Sequence, residues 1–230
     1  MTEVRRGVAL PILGGRLRGM KWLPASGGKV VRVLGGSYEP EQTALFETRV
    51  QPGATVLDIG AHVGYYTLLS AALAGERGAV WAFEPHPRNC AWLRGHIALN
   101  GLANVRIEEA ALGAHEGTTR FVEGTGSGTG HVAAEGGFEV RVHRLDDFCR
   151  EHDITPDIMK LDVEGAEADV LEAATDVLTR ARPVLFLSTH GEDVHRRCLS
   201  LLERLDYRFS PILGDDIHRT SEVLCEPLAS

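Results

Sequence analysis

TVLDIGAHVG, residues 55–64, decides the fold of this 230-residue chain. Val56, Leu57 and Ile59 are the apolar residues of a short buried strand, and Gly60 marks the turn that follows it. A helix-forming stretch opens at Gly64. A strand, a glycine turn and a helix N-terminus in this order form the ligand cradle of doubly wound α/β proteins. The stretch therefore predicts that fold class and a nucleotide-type ligand.

The spacing within this stretch indicates which ligand the cradle holds. A dinucleotide fingerprint reads G-x-G-x-x-G, because its second glycine lets the backbone approach a pyrophosphate. Here the turn reads Asp58-x-Gly60-Ala61-x-x-Gly64, with no second turn glycine and with an acid before the first. A carboxylate at this place repels a pyrophosphate but suits a cationic or amine-bearing ligand. S-adenosylmethionine carries a sulfonium and an α-ammonium, so the turn predicts a site for this methyl donor.

Strands and helices alternate along the rest of the chain. Continuous apolar strands between amphipathic helices predict a parallel sheet that is covered on both faces. The predicted strands are 55–59, 79–84, 104–109, 157–162 and 183–189, and the predicted helices are 40–49, 65–74, 87–100, 165–174 and 193–205. Runs at 207–212 and 221–226 predict a terminal hairpin, and runs at 118–122 and 139–144 predict an inserted hairpin or edge strands. We expect a lead-in of small strands and a helix over residues 1–50 and one catalytic domain over 51–230.

Composition narrows the class of protein. The net charge is −8 and Lys plus Arg total 24, which argues against a nucleic-acid polymer as the partner. Four scattered cysteines form no C-x-x-C pair, so they predict reduced thiols in a cytoplasm rather than disulfides or a zinc site.

The apolar run from Val8 to Leu13 is too short for a signal peptide. No run approaches the roughly 20 apolar residues that span a membrane. Oligomeric state is not encoded in these patterns.

Glu84 ends the second predicted strand, 26 positions after Asp58. In doubly wound folds an acid at this point accepts hydrogen bonds from a ribose diol. Pro85 and Pro87 then stiffen the turn and begin the next helix. The alternative is a solvated acid at a strand end, but the pairing with the glycine turn favours a ligand contact.

Further segments complete a family pattern. They are Gly36-x-Tyr38-Glu39, Asp58–Ala61, Gly64–Tyr66, Glu84-Pro85-x-Pro87, Leu93, Leu99-Asn100, Asn104-Val105, Ala110–Gly113, Leu145–Phe148 and Met159–Glu167. Together they resemble the FkbM-type S-adenosylmethionine-dependent methyltransferases over about residues 35–210. The run Lys160-x-Asp162-x-Glu164-Gly165-x-Glu167 is the most specific of them.

This resemblance implies a Rossmann-like sheet of seven strands in the order 3-2-1-4-5-7-6, with the last hairpin strand antiparallel. It implies methyl transfer to a hydroxyl oxygen of a small molecule, such as a sugar, a polyketide or another secondary metabolite. His62 and His96 stand where the family usually has Asn. Ser188-Thr189-His190 replaces the common Glu-x-His after the fifth strand, which puts the identity of a substrate-side acid in doubt.

Acidic residues and a histidine follow the fourth and fifth strands, at the carboxyl edge where open α/β sheets bind ligands. Asp162, Glu164 or His190 could accept the proton of an acceptor hydroxyl, and an unperturbed histidine has a pKa near 6.5. We predict Lys160 as a further catalytic residue. The alternative is a structural ion pair between Lys160 and Glu164, with Glu167 facing solvent. The three candidate proton acceptors could instead hold Mg²⁺, but no recognised ligand spacing is present, so we expect no metal.

The donor site is expected to extend to the end of the third strand, where Glu109, Ala110 and Ala111 could meet an adenine. The predicted cofactor-binding residues are Glu39, Asp58, Gly60, Ala61, Gly64, Tyr65, Glu84, Pro85, His86, Glu109, Ala110, Ala111 and Asp162. The glycine-rich stretch Gly124 to Gly137 is either a lid over the substrate or the tip of an edge hairpin.

Two other functions use the same sheet. A nicotinamide-dependent oxidoreductase would also place Glu84 on a ribose, but the missing G-x-G-x-x-G and the acid before the turn disfavour it. A non-catalytic binding module would keep the pocket without the reaction, and the intact run from Asp162 to Glu167 argues against it.

Overall fold

A seven-stranded sheet forms the centre of the computed structural model, which describes residues 7–27, 29–122, 131–133 and 137–228. Its strands are β3 (Thr55–Ile59), β4 (Ala79–Phe83), β5 (Val105–Glu108), β10 (Ile158–Leu161), β11 (Val184–Ser188), β12 (Tyr207–Pro211) and β13 (Glu222–Pro227). They stand in the order β5-β4-β3-β10-β11-β13-β12. The first five are mutually parallel, and β13 is antiparallel to both of its neighbours. The predicted fold class and strand order are confirmed.

Helices cover both faces of this sheet. They are α1 (Val30–Gly35), α2 (Pro40–Arg49), α3 (Tyr65–Ala74), α4 (Pro87–Asn100), α5 (Leu145–Glu151), α6 (Glu167–Glu172), α7 (Thr175–Arg180) and α8 (Glu192–Arg204). Leu57 and Ile59 of β3 pack into a core with residues of α5 to α8, whereas Val56 packs into a second core with α2 and α3. The alternation of side chains along a strand explains this division, since neighbours point to opposite faces. In the described part of the chain, no helix has the length and apolarity that crossing a membrane demands.

The segment before β3 packs into the second core. Its short strands β1 (Leu10–Pro11) and β2 (Lys21–Trp22) pair antiparallel. Trp22 and Phe46 are almost completely buried, and the Phe46 ring lies 4.9 Å from that of Phe186 on β11. Burial of large aromatic rings ties this segment to the sheet.

A second, four-stranded sheet lies between the third and fourth parallel strands in the chain. It contains β6 (Ala110–Leu112), β7 (Gly117–Val122), β8 (His131–Ala133) and β9 (Phe138–His143) in the order β6-β9-β7-β8. The predicted inserted hairpin corresponds to the antiparallel pair β7 and β9. The stretch Gly124 to Gly137, predicted as a lid or a hairpin tip, lies outside the described residues apart from 131–133 and 137.

Some helix boundaries differ from the prediction. α6 begins at Glu167 rather than at residue 165, because Glu164 and Gly165 have positive φ angles of 56° and 110°. A left-handed backbone cannot continue a right-handed helix. The short helices α1, α5 and α7 were not predicted, since six or seven residues give too little helical periodicity to recognise.

His96 of α4 connects the helix layer to the lead-in segment. Its ring stacks on Trp22 at 3.8 Å, Nε2 accepts a hydrogen bond from Leu23 N (3.0 Å), and Nδ1 lies 2.8 Å from Val63 O. These contacts fix the neutral tautomer that carries its proton on Nδ1. Burial lowers the pKa of His96 to about 4.

We expect His96 to make the protein less stable in mild acid. The unfolded chain binds a proton at His96 near pH 6.5 and the native chain only near pH 4, so stability falls as the pH falls through this window. Between pH 7 and pH 5 the loss is about 2 kcal/mol from this residue. Urea unfolding of the wild type and of His96→Asn at both pH values measures it. The exposed His218→Asn serves as the control, and an equal pH dependence in all three proteins contradicts the assignment.

Candidate active site

A cavity of about 730 Å³ opens at the carboxyl edge of the parallel sheet. Its wall comes from the turns after β3, β4, β10 and β11, from the loop before α2, and from β13. The carboxyl ends of parallel strands meet at one edge, so side chains distant in sequence converge there. The cavity lining includes most of the predicted site residues: Glu39, Asp58, Gly60, Ala61, Gly64, Tyr65, Glu84, Pro85, His86, Ala110, Ala111, Lys160, Asp162, Glu164 and His190.

A buried cation lies at the floor of this cavity. Lys160 on β10 is paired in register with Asp58 on β3, and its Nζ lies 3.0 Å from Asp162 Oδ2 and 4.9 Å from the centre of the Tyr66 ring. Burial raises the pKa of Asp58 and the Lys160 ammonium opposes that rise. Lys160 also holds the pKa of Asp162 below its usual value, against the effect of burial. The alternative of a Lys160–Glu164 ion pair is therefore wrong, because Asp162 takes the ammonium.

Asp58 retains an unused acceptor. Its Oδ2 accepts a hydrogen bond from Thr67 Oγ1 (2.5 Å), whereas the buried Oδ1 has no hydrogen-bond partner among the described residues. A buried carboxylate oxygen without a donor is costly, which favours a ligand that supplies one.

Glu84 fixes the turn that follows β3. Its Oε2 accepts a hydrogen bond from His62 N (2.8 Å), and its Oε1 accepts from His86 N (2.9 Å) and Asn89 Nδ2 (3.1 Å). Burial raises the pKa of Glu84 and these hydrogen bonds oppose the rise. Oε2 keeps a lone pair for a further donor.

Gly60 is required by a close approach between strands. It has a φ of +83°, and a Cβ here would lie 1.8 Å from the carbonyl oxygen of Asp162. The glycine therefore lets the tip of β10 approach the turn after β3.

Aromatic and acidic side chains of the lead-in and of α3 form the cavity wall beside Lys160. Glu39 is the N-cap of α2, with a left-handed φ of 41°, and its Oε2 accepts hydrogen bonds from Tyr66 OH (3.0 Å) and Gln42 Nε2 (3.3 Å). The Tyr38 and Tyr65 rings pack at 4.5 Å, and burial raises the pKa of both hydroxyls. This part of the wall is therefore mostly aromatic and carries one carboxylate, that of Glu39.

Asp162, Glu164 and His190 converge where the turns after β10 and β11 line the cavity. His190 Nε2 lies 3.8 Å from Asp162 Oδ1 and 3.6 Å from Glu164 Oε2. Its Nδ1 lies 2.8 Å from Glu167 Oε1, and this hydrogen bond, with the surrounding carboxylates, raises the pKa of His190 to about 9. The expectation of an unperturbed histidine near pH 6.5 is therefore corrected, because the ring is protonated at neutral pH.

Glu167 was expected to face solvent in the alternative interpretation, but it is fully buried. Its Oε1 also accepts hydrogen bonds from Gly165 N (3.1 Å) and Val163 N (3.2 Å). The sequence carried a usable signal for this residue, because Glu167 ends the most specific run of the family resemblance.

Glu222 is a cavity residue that the sequence did not reveal. It lies opposite Ser188 in the β11–β13 register, and its Oε2 accepts a hydrogen bond from Ser188 Oγ (2.8 Å). Ser188 stands where the resembling family commonly has Glu. A carboxylate from the neighbouring antiparallel strand thus reaches this part of the wall, and burial raises its pKa.

Glu109 stands apart from the other predicted residues. Its carboxylate pairs with Arg94 of α4 and lies outside the cavity wall, whereas Ala110 and Ala111 line it. The side chain expected to meet an adenine thus points to a helix partner instead.

Known protein families include sequences that are similar to this chain. A model of the methyltransferase FkbM domain matches residues 58–209. The curated 2-O-methyltransferase NoeI of Sinorhizobium fredii is 28% identical over 164 residues, which are 62% of this chain and 65% of NoeI. This chain therefore spans just under two thirds of the length of that relative.

Two solved structures share the fold. An FkbM methyltransferase from Methylobacillus flagellatus superposes with a TM-score of 0.53 at 17% identity, covering 86% of this chain and 52% of that one. Fibrillarin from Aeropyrum pernix, solved with bound S-adenosylmethionine, gives a TM-score of 0.51 at 15% identity, covering 80% and 71%. At these identities the likeness shows the shared architecture.

Replacing Lys160 with Met tests the buried charge cluster. The change leaves the carboxylates of Asp58 and Asp162 without their cation, so we expect a loss of about 3 kcal/mol in the free energy of unfolding. The exposed Lys29, which lies 3.7 Å from Glu39, provides the control. Lys29→Met should cost less than about 1 kcal/mol. Chemical denaturation at pH 7 measures both, and similar losses would show that Lys160 is not the essential counter-charge.

Proposed function

The chain belongs to the FkbM methyltransferase family, and we propose that it transfers a methyl group from S-adenosylmethionine to a hydroxyl oxygen of a small molecule. The observation that carries this proposal is one cavity lined by two chemically different groups of residues that lie next to each other. The glycine turn with Asp58 and Glu84 forms what we call the donor end, and Asp162, Glu164 and His190 form the acceptor end. The two groups are close enough to bring a donor and an acceptor together, since a Cβ on Gly60 would lie 1.8 Å from the carbonyl oxygen of Asp162.

The donor end fits the chemistry of S-adenosylmethionine. The unpartnered Asp58 Oδ1 suits a ligand with cationic or N–H donors, and the free lone pair of Glu84 Oε2 suits a ribose hydroxyl. Tyr38 and Tyr65 offer a flat apolar wall, and Glu39 adds a carboxylate beside it. When bound, this donor supplies an electrophilic methyl group on a sulfonium, which a nucleophilic oxygen can displace from sulfur.

The chain's own residues then have three tasks at the acceptor end. They hold the hydroxyl oxygen within about 3–3.5 Å of the methyl carbon, an effect of proximity worth up to about 7–11 kcal/mol. They exclude water from the donor. They also favour loss of the hydroxyl proton, for which Asp162 and Glu164 provide carboxylates at the cavity wall. Burial raises the pKa of Glu164, whereas Lys160 lowers that of Asp162.

The acceptor is proposed to be a small uncharged molecule with hydroxyl groups. The cavity volume of about 730 Å³ suits a small-molecule site. Carboxylates outnumber cations at the acceptor end, and the net charge of −8 opposes a nucleic-acid polymer. The relative NoeI is named a 2-O-methyltransferase, which supports oxygen as the methylated atom. The four buried, unbridged cysteines suit a reducing compartment, so we place the reaction in the cytoplasm.

Donor binding is tested with Asp58→Asn and Glu84→Gln. We expect each to weaken S-adenosylmethionine binding by about 1–3 kcal/mol, because each leaves a buried donor of the ligand without its charged acceptor. Isothermal titration calorimetry measures the affinity. Glu108→Gln is the control, since Glu108 pairs with Arg141 outside the cavity. Affinities within twofold of the wild type in both variants would falsify the donor assignment.

Chemistry at the acceptor end is tested with Asp162→Asn. The change keeps the shape of the side chain but removes the carboxylate, so we expect turnover to fall by about 10²-fold or more. Donor affinity should change little, because Asp58 and Glu84 remain. Formation of S-adenosylhomocysteine with a panel of glycosides measures turnover, and Asp169→Asn is the control, because this carboxylate of α6 pairs with Arg197 outside the cavity. A loss confined to donor affinity assigns Asp162 to the donor instead.

A further inference from the structure

Three side chains at the acceptor end present ligand atoms to a common point. One oxygen of Asp162, one of Glu164 and a ring nitrogen of His190 lie within 4.8 Å of one another. The Nε2–oxygen separations of 3.8 and 3.6 Å are too long for hydrogen bonds. Bonds of about 2.0–2.2 Å to one ion place two ligand atoms up to about 4.4 Å apart. The separations suit ion pairs with the protonated ring, and they equally suit three atoms that share one metal ion once the ring has lost its proton.

Two residues outside this cluster, Lys160 and Glu167, orient Asp162 and His190. Lys160 Nζ holds Asp162 Oδ2, which leaves Oδ1 toward His190. Glu167 takes Nδ1 of His190, which leaves Nε2 toward Asp162 and Glu164. A carboxylate that accepts the second N–H of a histidine is the usual support of a metal-bound imidazole, since it fixes the tautomer and the ring orientation. Glu167 is fully buried, so this support is built into the core.

The backbone places Glu164 where the other two ligands meet. Its positive φ of 56° turns the side chain out of the strand direction, and Gly165 and Val163 anchor the loop through their hydrogen bonds to Glu167. One buried carboxylate thus holds both the loop of Glu164 and the ring of His190. The three ligand side chains are each about one third exposed, at 34%, 33% and 36%, so an ion can reach them from solvent.

We propose that Asp162, Glu164 and His190 bind one divalent metal ion, with Glu167 as the positioning residue. One imidazole and two carboxylates form a mixed nitrogen and oxygen donor set, which suits Mn²⁺ or Zn²⁺. The open coordination positions face the cavity. If the proposed methyl transfer is correct, the ion there would polarise the acceptor hydroxyl, whose oxygen takes the methyl group from the sulfonium while its proton passes to the second, non-coordinating oxygen of Glu164. This proposal departs from the sequence-based expectation of no metal, because the structure brings ligand atoms of all three residues within 4.8 Å of one another.

Titration with Mn²⁺ alone tests the site without any acceptor. Metal binding displaces a proton from a ligating histidine, so the full-length protein is titrated at about pH 8. We expect binding of one Mn²⁺ per chain by calorimetry and by the loss of the free-ion electron paramagnetic resonance signal. Glu164→Gln and His190→Asn should each weaken binding at least tenfold. Glu167→Gln should weaken it by about 10–100-fold through the lost support of the ring.

Glu172→Gln is the matched control, because this exposed carboxylate of α6 pairs with Arg197 away from the cluster. Circular dichroism and S-adenosylmethionine binding check that each variant is folded. Absence of binding at about 1 mM Mn²⁺, or equal affinity in Glu164→Gln, His190→Asn and the control, overturns the proposal. Mn²⁺ binding without S-adenosylmethionine binding would refute the proposed function and leave the metal site standing, and the reverse result would refute only the metal site.

Discussion

The contact on which the site depends is the salt bridge between the buried Lys160 ammonium and the Asp162 carboxylate, beside the buried Asp58. Register pairs Lys160 with Asp58 on the neighbouring strand, and a salt bridge joins it to Asp162 two residues further along its own chain. Two carboxylates this close repel each other, and burial without a cation would drive protons onto them. The lysine lowers the pKa of Asp162 and opposes the rise that burial causes in the pKa of Asp58. This buried cation therefore favours the ionised form of both carboxylates in the cavity wall.

Backbone hydrogen bonds hold together the carboxyl ends of β3, β4 and β10. Gly60 N and Ala61 N donate to Phe83 O, and Asp162 N donates to Ile59 O. The Glu84 carboxylate also accepts a hydrogen bond from His62 N in the turn after β3. Side-chain and backbone hydrogen bonds therefore fix the same loops. Loops held by this many hydrogen bonds lose little conformational freedom when a ligand binds. The absence of a Cβ at Gly60 is what permits this close packing.

The acceptor end shows how one acid can be replaced by another from a different strand. Ser188 has no charge, but its register partner Glu222 brings a carboxylate to the cavity wall. Glu167 is the opposite case: it belongs to the acidic run of the sequence, but it is buried and hydrogen-bonds to His190 instead of facing a ligand. The number of acids in the sequence run thus does not give the number that reach the cavity. Their placement by strand register and helix start decides which of them meet substrate.

The sequence by itself determined the fold class and the strand, turn and helix around Gly60, and the family resemblance implied the sheet order. Apolar runs and helical periodicity are local signals, and the stretch 55–64 needs only ten consecutive residues to be recognised. The tertiary structure decided that Lys160 forms its ion pair with Asp162 rather than with Glu164, and that Glu109 pairs with Arg94. It also decided that His190 carries a proton at neutral pH, because the surrounding carboxylates raise its pKa. It also brought Glu222 and Glu167 into the site. These outcomes depend on distances of a few ångströms between residues on different elements, and such distances follow from register and packing, which no local pattern specifies.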